Sequence, residues 1–344
     1  MVELPEVFVF DAGDEDDAAQ SLGNWLNSLG VESPLVLSSV HGQTLAARLP
    51  GPRHASPDRT ADQRAASGLG SEAQRAGADA IVAIGGGRCL DVGKLAAARA
   101  GLVVLAVPTQ LSHDGICSPV AVVPGDSGVS ESLGAIAPRA VFISIPTLLH
   151  APVASVRAGL GDLLANPLAL RDWALAAEHG VEEIDRGAWD LSAESFELIE
   201  PHLDSDPAGL ADDPAFVRRL SDALVLSGMA MIRAGTSRPA SGAEHEISHA
   251  IDGAFGGRGM HGAQVAFGCI FSVALYGEDT TPVQQRLARL GLPHSPSDLG
   301  LDEDDVVKLL LEAPDTRPGR FTILEDADLD EGAARRLVQR IWND

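Results

Sequence analysis

"AIVAIGGGRCLDVGKLAAARA", residues 80–100, changes character at its centre. Apolar residues run unbroken into Gly85, Gly86 and Gly87, and small and aliphatic residues at helical spacing follow. A continuous apolar run is what a strand looks like when helices cover both faces of a parallel sheet. Meeting a helix through glycines, such a strand leaves free N–H groups and the positive end of the helix dipole at the sheet edge. There the backbone can come close to an anion such as a pyrophosphate. The pattern is neither GxGxxG nor a Walker A sequence, so a plain strand-to-helix turn also explains it, and Cys89 reads as a small residue on the helix.

The same texture repeats on either side. "VFVF" (7–10), "PLVLSS" (34–39), "GLVVLAVPT" (101–109) and "AVFISIPT" (140–147) are short apolar runs separated by stretches long enough for crossover helices. Residues 1–150 therefore read as an α/β, Rossmann-like parallel-sheet domain of the nucleotide-binding type. Beyond it "LLANPLALRDWALAAEHG", "ALVLSGMAMIRAG", "AQVAFGCIFSVALYG" and "GAARRLVQRIWND" are rich in alanine and leucine at helical spacing, so residues 151–344 are expected to form an all-α domain. "RLPGPRHASPDRT" (48–60) is the most loop-like piece, and "DSGVSESLGA" (126–135) reads as a hairpin or loop. There is no internal repeat.

Composition agrees with two domains. The chain has 344 residues, 45% of them hydrophobic, more than the roughly 250–300 residues at which single cores stop growing. With 25 Lys+Arg against 49 Asp+Glu the net charge is −24, which repels nucleic acid and anionic membranes but not a small anion bound in a cleft of local donors and metal. Three cysteines with no CxxC spacing point to a reducing compartment. The acidic N-terminus resembles no targeting segment, and the longest apolar stretch, starting at Val265, falls short of the roughly 20 residues of a membrane span. The expectation is a cytoplasmic protein with a buried helix at that position.

Three further stretches carry possible chemistry. "SHDGICSP" (112–119) gathers Ser112, His113, Asp114 and Ser118 at the end of a strand, on the edge of an open sheet where ligands bind, although capping also explains Ser112 and Asp114. In "SRPASGAEHEISHAID" (237–252), His245 and His249 stand one turn apart on one helix face, as two ligands or a ligand and an acid/base group; a structural or solvent-facing pair has the same spacing. His261 opens the next apolar helix, and Asp162 in "AGLGDLLAN" offers a carboxylate, or else an N-cap. Asp162, His245 and His261 together would make a three-ligand site with open positions, the catalytic rather than the closed structural pattern.

"GGGRCLDVGKLAA", "VPTQLSHDGICSP", "GLGDLLAN", "SRPASGAEHEISHAID", "HGAQVAFG" and "RPGRFTILED" resemble, in order, the glycerol-1-phosphate dehydrogenase family of the dehydroquinate synthase and metal-dependent alcohol dehydrogenase superfamily. The resemblance implies the dehydroquinate synthase-like fold, a homo-oligomer of dimer size or larger, and NAD- or NADP-dependent reduction of dihydroxyacetone phosphate to sn-glycerol 1-phosphate, a step of phospholipid biosynthesis. It places Gly86, Gly87, Arg88 and Asp91 in the pyrophosphate turn, and Thr109, Ser112 and Ser118 on the dinucleotide. Asp114 and His249 fall on substrate-contacting positions. Asp162, His245 and His261 fall on the ligands of a divalent metal, zinc or else nickel or iron. Gln110 and Leu111 stand where smaller residues are expected, and no acidic residue follows the second strand to repel a 2′-phosphate. Arg238 and Arg320 are the candidates for gripping the substrate phosphate. Competing readings are a dehydrogenase of another polyol, a cyclase acting on a cyclitol precursor, and a silent dinucleotide-binding protein. The cyclase would need a basic cluster beside the metal motifs, which the sequence does not display.

Overall fold

The computed structural model describes residues 3–55, 62–124 and 130–342. Six strands form one wholly parallel sheet: β1 (Glu6–Phe10), β2 (Leu35–Ser38), β3 (Arg53–Ala55), β4 (Ala80–Gly85), β5 (Val103–Pro108) and β8 (Ala140–Ser144), in the order β1-β8-β5-β4-β2-β3. Strands β6 (Val120–Pro124) and β7 (Ser130–Gly134) pair antiparallel as a separate hairpin. The unbroken apolar runs are explained by burial on both faces. Val82 and Ile84 of β4 join Leu105 and Val107 of β5 in one core, while Ile81 and Ala83 join Val104 and Ala106 in the other.

Two features depart from the expected element map. The stretch 48–60, of which residues 56–60 lie outside the described residues, contains the edge strand β3, which among the described residues pairs only with β2, from Val36–Arg53 to Ser38–Ala55. It was hidden because an edge strand needs no apolar run, and Pro52 and Arg53 suit an edge. The hairpin-or-loop reading of 126–135 proves to hold β7, whose partner β6 was not foreseen; residues 125–129 lie outside the described residues.

From Ile145 onward the described residues contain only helices and turns. Much of the acidic surplus is local chemistry: Asp14, Asp62, Asp185, Asp206, Asp213 and Asp302 each cap a helix by accepting backbone N–H bonds. The helix Pro214–Ala234 packs along Arg186–Ile199, and Ala243–Phe255 along His261–Leu275. The helix Val153–Leu163 crosses the helix His261–Leu275 at close range. A Cβ on Gly262 would stand 1.9 Å from the Ala158 carbonyl oxygen, and one on Gly161 would stand 2.3 Å from that of Gly262. Backbone therefore touches backbone where Asp162 meets the start of the His261 helix.

Gly262→Ala should push these two helices apart, costing about 1–3 kcal/mol as an overpacked contact that no rotamer can relieve. Thermal melting checks this, and an unchanged midpoint would show that the close approach is not needed.

Candidate active site

The sheet directs its ligand edge by topology. The chain leaves β2 outward to β3 but leaves β4 the other way to β5, so the strand order reverses between β2 and β4. Crevices of open α/β sheets lie at such points, at the carboxyl ends of the strands. The glycine turn sits there: Gly86 is the N-cap of the helix Gly87–Ala100 and makes no side-chain cap bond. A Cβ on Gly86 would come 2.5 Å from Gln110 Nε2, and one on Gly87 would come 2.1 Å from His113 Nε2. Glycine lets the Gln110 and His113 side chains pack against this turn, whose uncapped helix N–H groups suit the pyrophosphate of a dinucleotide.

The other residues expected around the turn take different places. Arg88 is exposed on the first helical turn, and Thr109 and Ser112 are buried after β5. The Thr109 amide donates to the Gly85 carbonyl at 3.0 Å, tying the ends of β4 and β5 together. Asp91 is buried, ion-paired with Lys94 at 2.8 Å, and accepts the Val122 amide at 3.1 Å. Lys94, fully buried, donates to the carbonyls of Gly115 (2.9 Å) and Val120. The Asp91–Lys94 pair thus fixes the loop 112–120 and the hairpin to the glycine-turn helix, a positioning task with no signal in the sequence.

Capping does not explain that loop's polar residues. The short 3-10 turn Asp114–Ile116 is capped by His113, whose Nδ1 accepts the Gly115 amide at 3.0 Å. This leaves the ring proton of neutral His113 on Nε2. Asp114 instead reaches across: its amide donates to Asp162 Oδ2 at 2.9 Å, and its own Oδ2 accepts from Ser227 Oγ at 2.8 Å. Burial pushes the Asp114 carboxyl up to about 6 despite the Ser227 bond. Asp114, His113 and Ser118 line one cleft with His245, His249 and His261.

Asp162 is not an N-cap. It lies near the C-terminal end of the helix Val153–Leu163, whose N-cap is Pro152, and its side chain is 3% exposed. Its Oδ1 has no hydrogen-bond partner among the described residues, yet stands 3.8 Å from both His245 Nε2 and His261 Nε2. All three ligand atoms lie within 4.8 Å of one another. Tetrahedral ligands about 2.0–2.2 Å from zinc are about 3.4 Å apart, so a small contraction would close this triad on one ion.

The surroundings prepare each donor. His245 Nδ1 faces Glu244 Oε1 at 3.0 Å, and His261 Nδ1 faces Ser248 Oγ at 3.3 Å, so the Nδ1 protons have acceptors and both Nε2 lone pairs point to Asp162. Burial holds the His245 ring down to about 3, and the His249 and His261 rings well below their usual value, so all three are neutral near pH 7, the form that binds metal. Burial, then the Asp114 charge, drives the Asp162 carboxyl well up. An orphaned, buried carboxylate oxygen between two neutral imidazoles is the chemistry of a divalent cation site.

His249 is held differently. Its Nδ1 lies 3.4 Å from Arg317 Nε, and because a guanidinium can only donate, this contact leaves the ring proton of His249 on Nε2. Arg238, a candidate phosphate grip, is fully buried away from the cleft: Nη2 pairs with Glu182 at 2.8 Å and Nη1 donates to the Phe321 carbonyl at 2.7 Å. Arg317, which the sequence reading did not single out, lines the cleft instead. The basic cluster missing from the sequence beside the metal motifs is assembled by the fold from Arg317 and Arg320.

This architecture is that of a known class. The family model described as iron-containing alcohol dehydrogenase matches residues 15–152. The fold is similar to a probable glycerol dehydrogenase from Sinorhizobium meliloti 1021 (TM-score 0.80, 21% identity, 99% of this chain and 97% of that one). It is also similar to a sulfoacetaldehyde reductase from Bifidobacterium kashiwanohense, solved with NAD+ (TM-score 0.74, 14% identity, 100% and 99%). These likenesses show the fold, that of the iron-containing alcohol dehydrogenases. In sequence the chain is 34% identical to the glycerol-1-phosphate dehydrogenase (NAD(P)+) of Cenarchaeum symbiosum over 98% of its length and 95% of that protein's. It is 38% identical to the enzyme of the same name from Pyrococcus furiosus over 75% and 73%. The chain belongs to the glycerol-1-phosphate dehydrogenase family.

Glu244→Gln should weaken divalent-metal affinity by about 10- to 100-fold, as losing the carboxylate that holds a ligating imidazole's other nitrogen does. Asp162→Asn should abolish stoichiometric binding. Competition with a chromogenic chelator measures both, and unchanged affinity in Asp162→Asn would remove the triad as the metal site.

Proposed function

We propose that the protein reduces dihydroxyacetone phosphate to sn-glycerol 1-phosphate with NADH or NADPH, reversibly, in a cleft where one divalent cation is held by Asp162, His245 and His261. The observation carrying this reading is the orphaned Asp162 oxygen 3.8 Å from the imidazole nitrogens of His245 and His261, which line one cleft with Asp114 and His249. Family membership supports the substrate. Zinc is the metal the neutral two-His, one-carboxylate set suits, with nickel and iron as relatives.

Each residue then has a task. Gly86 and Gly87 open the cradle in which the helix N–H groups receive the pyrophosphate, with Arg88 and Asp91 on the same helix. Thr109, Ser112 and Ser118 border the path from that cradle to the metal triad. When bound, the nicotinamide supplies the hydride and the cation polarises the substrate carbonyl. Asp114, fixed by Ser227, accepts from a substrate hydroxyl. His249 presents an N–H from Nε2, so it can give a proton to the oxygen that becomes the product hydroxyl and recover it through solvent. Asp162 lies against Asp114 and so couples the ligand set to the substrate loop.

The three buried free cysteines, Cys89, Cys117 and Cys269, support the cytoplasmic location. The homo-oligomeric state, dimer or larger, and a place in phospholipid biosynthesis come with the family reading. No helix among the described residues is long and apolar enough to cross a membrane.

With metal-loaded protein, dihydroxyacetone phosphate should drive NADH or NADPH oxidation at 340 nm, giving a product that an sn-glycerol-3-phosphate-specific enzyme ignores. His249→Ala should keep its metal and lose turnover by about 10²–10⁴-fold, as loss of a positioned proton donor does. No oxidation by the wild type, with metal and cofactor both bound, would move the substrate to another polyol. Metal loss in His249→Ala would exchange the roles of His245 and His249.

A further inference from the structure

We propose that Arg317 and Arg320, converging on Ser237, form the subsite for the phosphoryl dianion of the substrate and set the preference for a phosphorylated over an unphosphorylated triose. The proposal rests on the functional reading above and adds the groups that recognise the phosphate.

Two guanidinium groups meet at one hydroxyl here. Arg317 Nη1 donates to Ser237 Oγ at 2.8 Å and Arg320 Nη2 donates to the same oxygen at 2.9 Å. Arg320 Nη1 also donates to the Ser241 carbonyl at 2.6 Å. Both side chains are largely buried, and neither has a carboxylate oxygen within 4.0 Å among the described residues. Arg238 shows the contrast: fully buried, it has Glu182 at 2.8 Å. Burying a guanidinium without a counter-charge is costly, and placing two side by side more so, unless an anion completes the group. In keeping with this, burial first and Arg317 second hold Arg320 down to about 10, with Glu246 and Glu182 opposing them.

The placement matches a phosphorylated triose. Arg317 and Ser237 line the cleft that holds the metal triad, and Arg320 stands behind Ser237 as a second positive charge. Ser237 Oγ accepts from both arginines, so its own proton is free to donate to a phosphoryl oxygen. Arg317 Nε is committed to His249, which leaves Nη2 for the anion. The anion and the reacting carbon therefore stand on opposite sides of His249, with the arginine that binds one orienting the imidazole that serves the other.

The test compares dihydroxyacetone phosphate with unphosphorylated dihydroxyacetone as substrates of the metal-loaded enzyme, and measures inorganic phosphate binding by calorimetry in the same protein. Arg317→Met should raise the KM for the phosphorylated substrate and the Kd for phosphate together, by about 10- to 100-fold, the worth of one charged hydrogen bond. KM for dihydroxyacetone should stay within a factor of about two, since no charged bond to it is lost. Arg320→Met should shift both values in the same direction by less. Arg317→Lys, which keeps charge without the Nε bond to His249, should recover phosphate affinity better than kcat. Because Arg317 also holds His249, kcat should fall with both substrates, so the discriminating readout is KM. Equal KM changes for the two substrates, or phosphate binding that survives Arg317→Met, would overturn the subsite; so would phosphate binding that vanishes with the metal alone. If the wild type does not reduce dihydroxyacetone phosphate yet binds phosphate through Arg317, the functional reading fails and the anion subsite stands.

Discussion

Everything in the cleft depends on how closely the helix Val153–Leu163 crosses the start of the helix His261–Leu275. Three chemically useful groups come from three separate segments, and a divalent ion tolerates only a few tenths of an ångström in their placement. Gly161 and Gly262 allow backbone to meet backbone there, so Asp162 reaches the imidazole of His261 without a long, adjustable side chain. The third proposed ligand, His245, arrives with the helix Ala243–Phe255, which packs along the same His261 helix. Rigid elements rather than loops therefore set the geometry.

A second constraint is electrostatic. The region behind the triad buries Asp172, Glu244 and Glu246 together, and burial pushes these carboxyls up to about 7, 7 and 9. Each has specific work. Asp172 accepts the Ala243 and Ile323 amides and the Tyr276 hydroxyl, pinning the N-terminus of the ligand-bearing helix to the C-terminal segment. Glu244 holds the Gly242 amide and His245, and Glu246 accepts from Thr322. The segment that carries Arg317 and Arg320 is thus tied to the helix that carries His245 and His249. The proposed metal binding, proton donation and anion recognition would therefore share one scaffold.

Much of this was legible in the sequence because it obeys local rules. Strands buried on both faces leave unbroken apolar runs, so β1, β2, β4, β5 and β8 stand out, whereas the three-residue edge strand β3 leaves only Pro52 and Arg53. The helical spacing of His245 and His249 placed both on one face, and the structure puts both in the cleft while giving them different partners. Asp162 was visible as a carboxylate between glycine and an apolar run, with its burial and the absence of an N-cap role shown only by the fold. Ser227, Ser237 and Arg317 were not distinguished, because their partners are 61 to 113 residues away and no spacing rule reaches that far. Lys94 stands three residues from Asp91, but the carbonyls it holds lie 21 and 26 residues away. Glu244 had a signal, its adjacency to His245, but whether it points at that ring depends on the turn at Gly242. Arg238 looked like an anion grip by its motif, and only its burial against Glu182 removes it from the cleft.

The most direct test of the metal-centred cleft is anomalous diffraction from crystals of the metal-loaded protein, recorded on both sides of the metal's absorption edge. A single strong peak bonded to Asp162 Oδ1, His245 Nε2 and His261 Nε2, at about 2.0–2.2 Å from each if the ion is zinc, is the expected result. A fully occupied peak elsewhere, or one ligated by His249 in place of His245 or His261, would contradict the assignment of the triad and of His249 as the proton donor.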